Sequence, residues 1–165
     1  MTAAVIGNAE TLSAGNSVSQ TIKRTHGLLR HFLDRAFEHQ GATFSQWIVL
    51  MCLKDGRVRT AADLSRAIEQ DSGSLTRLLD QLEQRKLLKR CGNAVDRRVH
   101  DLLLTPEGSA LLDALTPALI GVYNEVLSEL SYADVEALLR LLNKLIAGSK
   151  SLAAARSVTV RRVEP

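Results

Sequence analysis

The stretch that decides the fold is Asp96-Arg97-Arg98-Val99-His100-Asp101-Leu102-Leu103-Leu104-Thr105-Pro106-Glu107-Gly108. Two arginines follow Asp96, a short apolar strand comes next, and Thr105-Pro106 after it is typical of a helix start. Residues 87–91 predict a partner strand, and therefore a hairpin with a basic tip. Leucines three and four apart in residues 71–84 predict a helix upstream. Helix, basic hairpin and helix in this order predict a mainly α fold, a winged helix-turn-helix with a small β-hairpin wing.

The rest of the chain divides around this motif. Residues 1–16 are small and polar, and we predict a flexible arm. Residues 17–147 predict one domain, in which amphipathic helices at about 17–40 and 105–147 flank a lobe at about 43–104. Gly148 is expected to end the last helix, so that residues 148–165 form a tail without helical structure.

Charge is unevenly spread along the chain. Residues 59–100 carry nine Lys/Arg against six Asp/Glu, whereas residues 101–149 carry two against seven. A basic lobe of this kind attracts a phosphate backbone, although an ordinary solvated surface explains the counts equally well.

Several classes of function find no support in the sequence. Cys52 and Cys91 form no disulfide framework, and the four histidines form no metal cluster, so we predict no metal and no cofactor. The sequence has no glycine-rich phosphate loop and no nucleophile signature, which disfavours an enzyme. No apolar run is long enough to span a membrane, which predicts a cytoplasmic protein with no membrane partner.

Three stretches in order resemble the MarR family of transcription factors. The first is Thr43-x-x-Gln46-Trp47-x-Val49-Leu50, the second is SLTRLLDQLE at residues 74–83, and the third is Asp96-x-Arg98-x-x-x-Leu102-x-Leu104-Thr105-x-x-Gly108. The resemblance covers about residues 18–147. The predicted helix at residues 71–84 corresponds to the recognition helix of the family. Lys86 departs from the resemblance, because a glycine commonly occupies this position after that helix. No cysteine lies in the first helix, where peroxide-sensing members carry theirs.

The resemblance implies a homodimer in which the first and the last two helices of each chain interlock. It also implies binding to a palindromic double-stranded DNA operator, usually with repression, and release by a small phenolic or other aromatic ligand or by cysteine oxidation. The apolar last helix agrees with a dimer, although Leu138, Leu142 and Leu145 could equally fill the core of a monomer.

Two groups of residues are candidates for DNA contact. The start of the 71–84 helix would enter the major groove with Ser72, Ser74, Thr76 and Arg77, unless the serines merely serve the helix start. At the wing tip, Arg98 and Arg97 would enter the minor groove, and Asp96 would orient an arginine, unless the tip is only a solvated salt bridge. Candidates for the phosphate backbone are Arg59, Lys89 and Arg90.

A ligand site is expected near His26, Arg30, Trp47 and Met51, where a cationic side chain beside an aromatic wall suits an anionic aromatic molecule. For Trp47, simple core packing is the alternative. Two further hypotheses stay open at this point. One is a winged-helix module that binds proteins rather than DNA, and the other is a redox-responsive regulator that uses Cys91.

Overall fold

The computed structural model describes residues 17–56, 58–92 and 98–161. The chain forms two compact units, the first ending at Val122 and the second starting at Tyr123. Over these residues the chain forms six α-helices and one two-stranded sheet, which confirms the predicted fold class. No helix in the described part of the chain is long and apolar enough to cross a membrane.

The chain enters the fold through a long amphipathic helix. Helix α1 spans Val18–Phe37, and the side chain of Ser17 caps it by accepting a hydrogen bond from the backbone N–H of Gln20. A short 3-10 turn, Glu38–Gln40, follows and ends at Gly41. Gly41 has a φ of +60°, a left-handed conformation that glycine adopts without steric cost, so the chain can turn here towards α2.

Three short helices lie within the predicted lobe, and a side-chain cap precedes each of them. Helices α2 (Phe44–Lys54) and α3 (Ala61–Ile68) both open with a complete capping box, on Thr43 and on Thr60. Helix α4 (Ser72–Gln84) begins at Asp71, whose carboxylate accepts a hydrogen bond from the backbone N–H of Ser74.

The predicted wing is an antiparallel hairpin. Strand β1 (Leu88–Gly92) pairs with β2 (His100–Leu104), with Leu88 opposite Leu104 and Gly92 opposite His100. The segment before α3 also joins the hairpin, because the carbonyl of Arg59 accepts a 2.7 Å hydrogen bond from the backbone N–H of Leu102. The wing is therefore held to the body of the lobe by backbone hydrogen bonds.

The core of the lobe lies between α2, α3, α4 and the hairpin. Its buried side chains are almost all leucine and valine: Val49, Leu50, Leu53, Val58, Leu64, Leu75, Leu79, Leu82, Leu87, Leu88, Leu102 and Leu112. Because α4 contributes one continuous apolar stripe to this core, its opposite side faces solvent.

Helix α5 (Pro106–Val126) starts directly after the wing and approaches it closely. Thr105 caps it by accepting from the backbone N–H of Gly108, while its own hydroxyl donates to the carbonyl of Lys86. A Cβ on Gly108 would lie 2.1 Å from the carbonyl oxygen of Leu87, far inside contact distance. A glycine is therefore required where the first turn of α5 passes the end of α4.

The last helix is longer than the sequence indicated. Helix α6 spans Tyr132–Arg161, so the prediction that Gly148 ends it is wrong. A glycine inside a helix costs only about 1 kcal/mol relative to alanine, and the good helix formers that follow, among them Ala153, Ala154 and Ala155, outweigh it. The predicted arm over residues 1–16 lies outside the described residues.

Candidate nucleic-acid interface

Helix α4 presents a polar surface because its leucines are turned into the core. Leu75, Leu79 and Leu82 are buried, and the four predicted contact residues are all exposed: Ser72, Ser74, Thr76 and Arg77. The structure therefore places all four on the solvent side of the helix, but their hydrogen bonds separate them into two groups.

Two of the four side chains are engaged within the helix. The Ser74 hydroxyl donates to the carboxylate of Asp71, and the Thr76 hydroxyl donates to the carbonyl of Ser72 at 2.7 Å. Hydrogen bonds from Ser74 hold the pKa of the Asp71 carboxyl below its usual range, so that this cap stays ionised to a lower pH than an ordinary aspartate. Ser74 thus contributes to the cap at the start of α4, which is the alternative to DNA contact that we stated for the serines.

Arg77 differs from its neighbours on the helix. Its side chain is exposed in the second turn of α4, and among the described residues no hydrogen bond or ion pair involves its guanidinium group. An exposed arginine on a rigid helix can donate two parallel hydrogen bonds to the edge of a guanine base.

The wing adds further cations on the same lobe. Arg98 is exposed in the turn that leads into β2, and Lys89 is exposed on β1. Arg59 is also exposed, and its backbone is fixed beside β2 by the hydrogen bond to Leu102. Asp96 and Arg97, which we predicted at the wing tip, lie outside the described residues.

Arg90 has a different environment from the one predicted. Its guanidinium lies 2.7 Å from the carboxylate oxygens of both Asp80 and Glu83, and its backbone N–H donates to Glu83 at 3.0 Å. The side chain is only 26% exposed. Both acidic partners come from α4 and hold Arg90 between the wing and that helix, which disfavours the predicted phosphate contact.

Lys86 shows how the chain makes the turn after α4 without the glycine common in the family. It adopts a left-handed backbone conformation with a φ of +59°. Its N–H donates to the carbonyl of Glu83, and the N–H of Leu87 donates to that of Leu82. The turn that the resemblance implies is therefore present, with the strain that a non-glycine residue incurs in this conformation.

A cleft of about 350 Å³ lies beside the start of α4. Two of the predicted ligand-site residues, His26 and Arg30 of α1, line it together with residues that the sequence did not indicate: Phe44, Ser45, Ile48, Ile68, Glu69, Gln70 and Asp71. Nothing in the sequence pattern could have selected these residues, because they come from α2, α3 and the turn between α3 and α4, which only the fold brings beside α1.

Trp47 and Met51 do not line this cleft. Both are partly buried and pack against the leucine core, which is the alternative we stated for Trp47. The Trp47 ring stacks on Phe44 with centroids 5.6 Å apart, and its Nε1 is buried without a partner in the described part of the chain. Trp47 thus packs against the core and against Phe44, which lines the cleft.

The thiols and acidic groups indicate no additional chemistry. Burial, with a smaller contribution from Asp55, raises the pKa of the Cys52 thiol, which disfavours its reactive thiolate form. Cys91 is half-buried on β1. Within the described residues, no group of three or more His, Cys, Asp or Glu could hold a metal ion.

Comparison with known proteins agrees with this architecture. The MarR family model matches residues 40–99. The HTH-type transcriptional repressor NicR of Pseudomonas putida is 28% identical over 127 residues, which are 70% of this chain and 80% of NicR.

Solved structures resemble this fold over most of its length. A mutant of MarR from E. coli complexed with operator DNA has a TM-score of 0.73 at 24% identity, covering 83% of this chain and 96% of that one. BpsR of Bordetella bronchiseptica, whose DNA binding is regulated by 6-hydroxynicotinic acid, has a TM-score of 0.70 at 24% identity, covering 81% and 96%. With the fold and the three sequence stretches, these matches show that the chain has the winged helix-turn-helix fold and is similar to proteins of the MarR family.

Proposed function

We propose that this protein is a dimeric transcriptional regulator, a repressor, which binds a specific palindromic sequence in double-stranded DNA and is released by a small aromatic ligand. The observation that carries the proposal is the arrangement of α4. One face of this helix is locked into a leucine core, and the other presents the exposed Arg77 at the surface. MarR-family relatives named as repressors, and a structural neighbour complexed with operator DNA, support the same function.

In this proposal the two halves of the lobe read DNA differently. Arg77, with Ser72 beside the helix start, contacts base edges in the major groove, where each base pair presents a distinct pattern of donors and acceptors. Arg98 enters the neighbouring minor groove, whose negative potential attracts arginine. Lys89 and Arg59 contact phosphates, which adds affinity but carries no sequence information.

Exposed apolar side chains of α6 support the dimer. This helix is rich in leucine, yet its large apolar residues Leu138, Leu139, Leu141, Leu145 and Ile146 are all exposed. An apolar surface of this size on one helix is typical of a protein–protein interface. A twofold dimer would place two recognition helices roughly 34 Å apart, which matches successive major-groove faces and a palindromic site.

The cleft supports regulation by a ligand. His26 and Arg30 offer cationic donors on one wall, while Phe44 and Ile48 offer apolar surface. A small aromatic anion fits this lining, and the effector of BpsR has this chemistry. Because Gln70 and Asp71 also line the cleft, a bound molecule would touch the segment that begins α4. Such a ligand changes DNA binding only if its affinity for the DNA-bound protein differs from its affinity for the DNA-free protein.

The experiment is to select bound sequences from a random duplex pool and then to measure three single variants on the selected duplex. We expect Arg98→Ala to weaken binding by tens of fold, since a charged minor-groove contact is lost. Arg77→Ala should lose the preference for the selected duplex over a random one, and Arg24→Ala on α1 is the charge-matched control. If wild-type protein selects no sequence, or if all three variants bind alike at physiological salt, the proposal fails.

A further inference from the structure

Arg85, the residue directly after α4, makes a contact that neither its sequence position nor the proposed function explains. Its guanidinium Nη1 donates to the carbonyl oxygen of Gly41 at 2.7 Å and to Oε1 of Gln46 at 3.1 Å. Both acceptors lie about forty residues away in the chain, Gly41 in the segment that joins α1 to α2 and Gln46 in the first turn of α2. The end of α4, the proposed recognition helix, is thus connected to the start of α2 and to the turn before it, residues 41–46.

The acceptors of Arg85 are rigidly held. Gln46 is buried, with 7% of its surface exposed, and its Oε1 also accepts from the backbone N–H of Thr43 in the capping box of α2. Gly41 is fixed by its left-handed backbone conformation and by a hydrogen bond from its N–H to the carbonyl of Glu38. A third hydrogen bond, from the Phe44 N–H to Asp34 at 2.7 Å, holds the same corner against α1.

The polar contact supplies what apolar packing does not. The leucine stripe of α4 keeps the helix on the core, but contacts between leucines have no directional preference and permit small rotations and shifts along the axis. Hydrogen bonds from a planar guanidinium do have a preferred direction. The cap on Asp71 is local to α4, and the ion pairs of Asp80 and Glu83 with Arg90 join the helix to the wing, so neither relates α4 to α2.

We infer that Arg85 is a positioning residue for DNA recognition: through Gly41 and Gln46 it fixes α4 in the orientation that presents Arg77. The inference rests on the proposed function for its DNA readout. It assigns Arg85 no contact with DNA, although an exposed arginine beside a recognition helix would ordinarily be taken for a phosphate contact.

The salt dependence of binding separates these two roles. A residue that binds phosphate contributes about one unit to the slope of log affinity against log salt, whereas a positioning residue contributes nothing to it. We expect Arg85→Ala to weaken binding to the selected duplex by about tenfold, the order expected when a charged hydrogen bond is lost. Binding to random duplex should change much less, and the salt slope should stay at the wild-type value.

Two further variants test the route of the effect. Gln46→Met removes one acceptor but keeps the hydrogen bond from Arg85 to Gly41, so it should cause a smaller loss of affinity than Arg85→Ala. Combining it with Arg85→Ala should add little, since both variants break the same link. Arg85→Lys retains the charge but not the paired donors and should restore binding only in part. Equal losses on both duplexes with a slope reduced by about one, or no loss at all, would overturn the inference.

Hydrogen exchange gives a readout that needs no DNA. In Arg85→Ala, amides in residues 79–85 and 41–46 should exchange faster than in wild type and in the Arg24→Ala control, because the link restrains both segments. Unchanged exchange in both segments contradicts the inference even if DNA binding is lost. If wild-type protein selects no duplex while exchange responds as expected, the proposed function fails and the structural link stands.

Discussion

The winged lobe and helix α6 use the same residue type to opposite effect. In the lobe, leucines of α4 meet leucines of α2 and the wing, and Leu79 is only 1% exposed. In α6, Leu141 is 56% exposed, and none of the described side chains of the helix is buried. The lobe thus completes its core within one chain, whereas the exposed leucines of α6 are the surface that the proposed dimer would cover.

Charges on α6 test this contrast most directly. We expect the double variant Leu141→Glu, Leu145→Glu to abolish the dimer, because each buried and unpaired carboxylate costs several kcal/mol. Light scattering at micromolar concentration should give about twice 18.0 kDa for wild type and a single chain for the variant. Arg140→Glu, which changes a charged residue on the same helix, is the control. A wild-type monomer, or a variant that remains dimeric, would remove the distinction between the two regions.

The lobe should respond to truncation of a buried leucine. Leu79→Ala deletes a fully packed side chain, and we expect it to lower the free energy of unfolding by about 3 kcal/mol. Trp47 is the sole tryptophan and packs against this core, so its fluorescence in a urea titration reports the loss. Leu139→Ala in α6 is the matched control, measured at a fixed protein concentration. Similar losses in Trp47-reported stability for both variants would mean that the lobe does not complete its own core.

The turn after α4 offers a stabilising change within the lobe. Lys86 has a positive φ, and replacing it with glycine should raise the free energy of unfolding by about 1 kcal/mol by removing the steric cost of the left-handed conformation. Gly41→Ala, at a similar φ, should do the reverse. Both changes are measured by urea unfolding. A loss of stability in Lys86→Gly would contradict the claim that the backbone of Lys86 is strained.

The smallest effect concerns the carboxylates at the starts of α4 and α6, one in each region. Hydrogen bonds from Ser74 and from Ser131 hold the pKa values of Asp71 and Asp134 below the ordinary range. The stabilisation by each carboxylate is therefore complete above its unfolded pKa of about 3.9 and is lost as the pH falls through the lower folded value. Unfolding free energy should decline below about pH 4, and less steeply in Asp71→Asn and Asp134→Asn. A parallel decline in wild type and both variants would show that these caps are not linked to folding.

The sequence predicted those features that depend on residues close together in the chain. The Thr105–Pro106 helix start formed as expected, and the capping boxes on Thr43 and Thr60 and the cap on Asp71 are equally local, because each joins residues three apart. The hairpin and the buried stripe of α4 followed from periodicity in the same way. Gly148 shows the limit of such rules, since one unfavourable residue did not outweigh a long run of helix formers.

What the sequence by itself determined is thus the set of helices, their starts, the wing, and a cationic lobe that points to nucleic acid. Only the tertiary structure decided that Arg90 pairs with Asp80 and Glu83, that Arg85 reaches Gly41 and Gln46, and that His26 and Arg30 share a cleft with the start of α4 rather than with Trp47. The physical reason is one of range. A cap or an amphipathic stripe is specified within a few residues, but the partner of a long charged side chain depends on which helices the leucine core brings together.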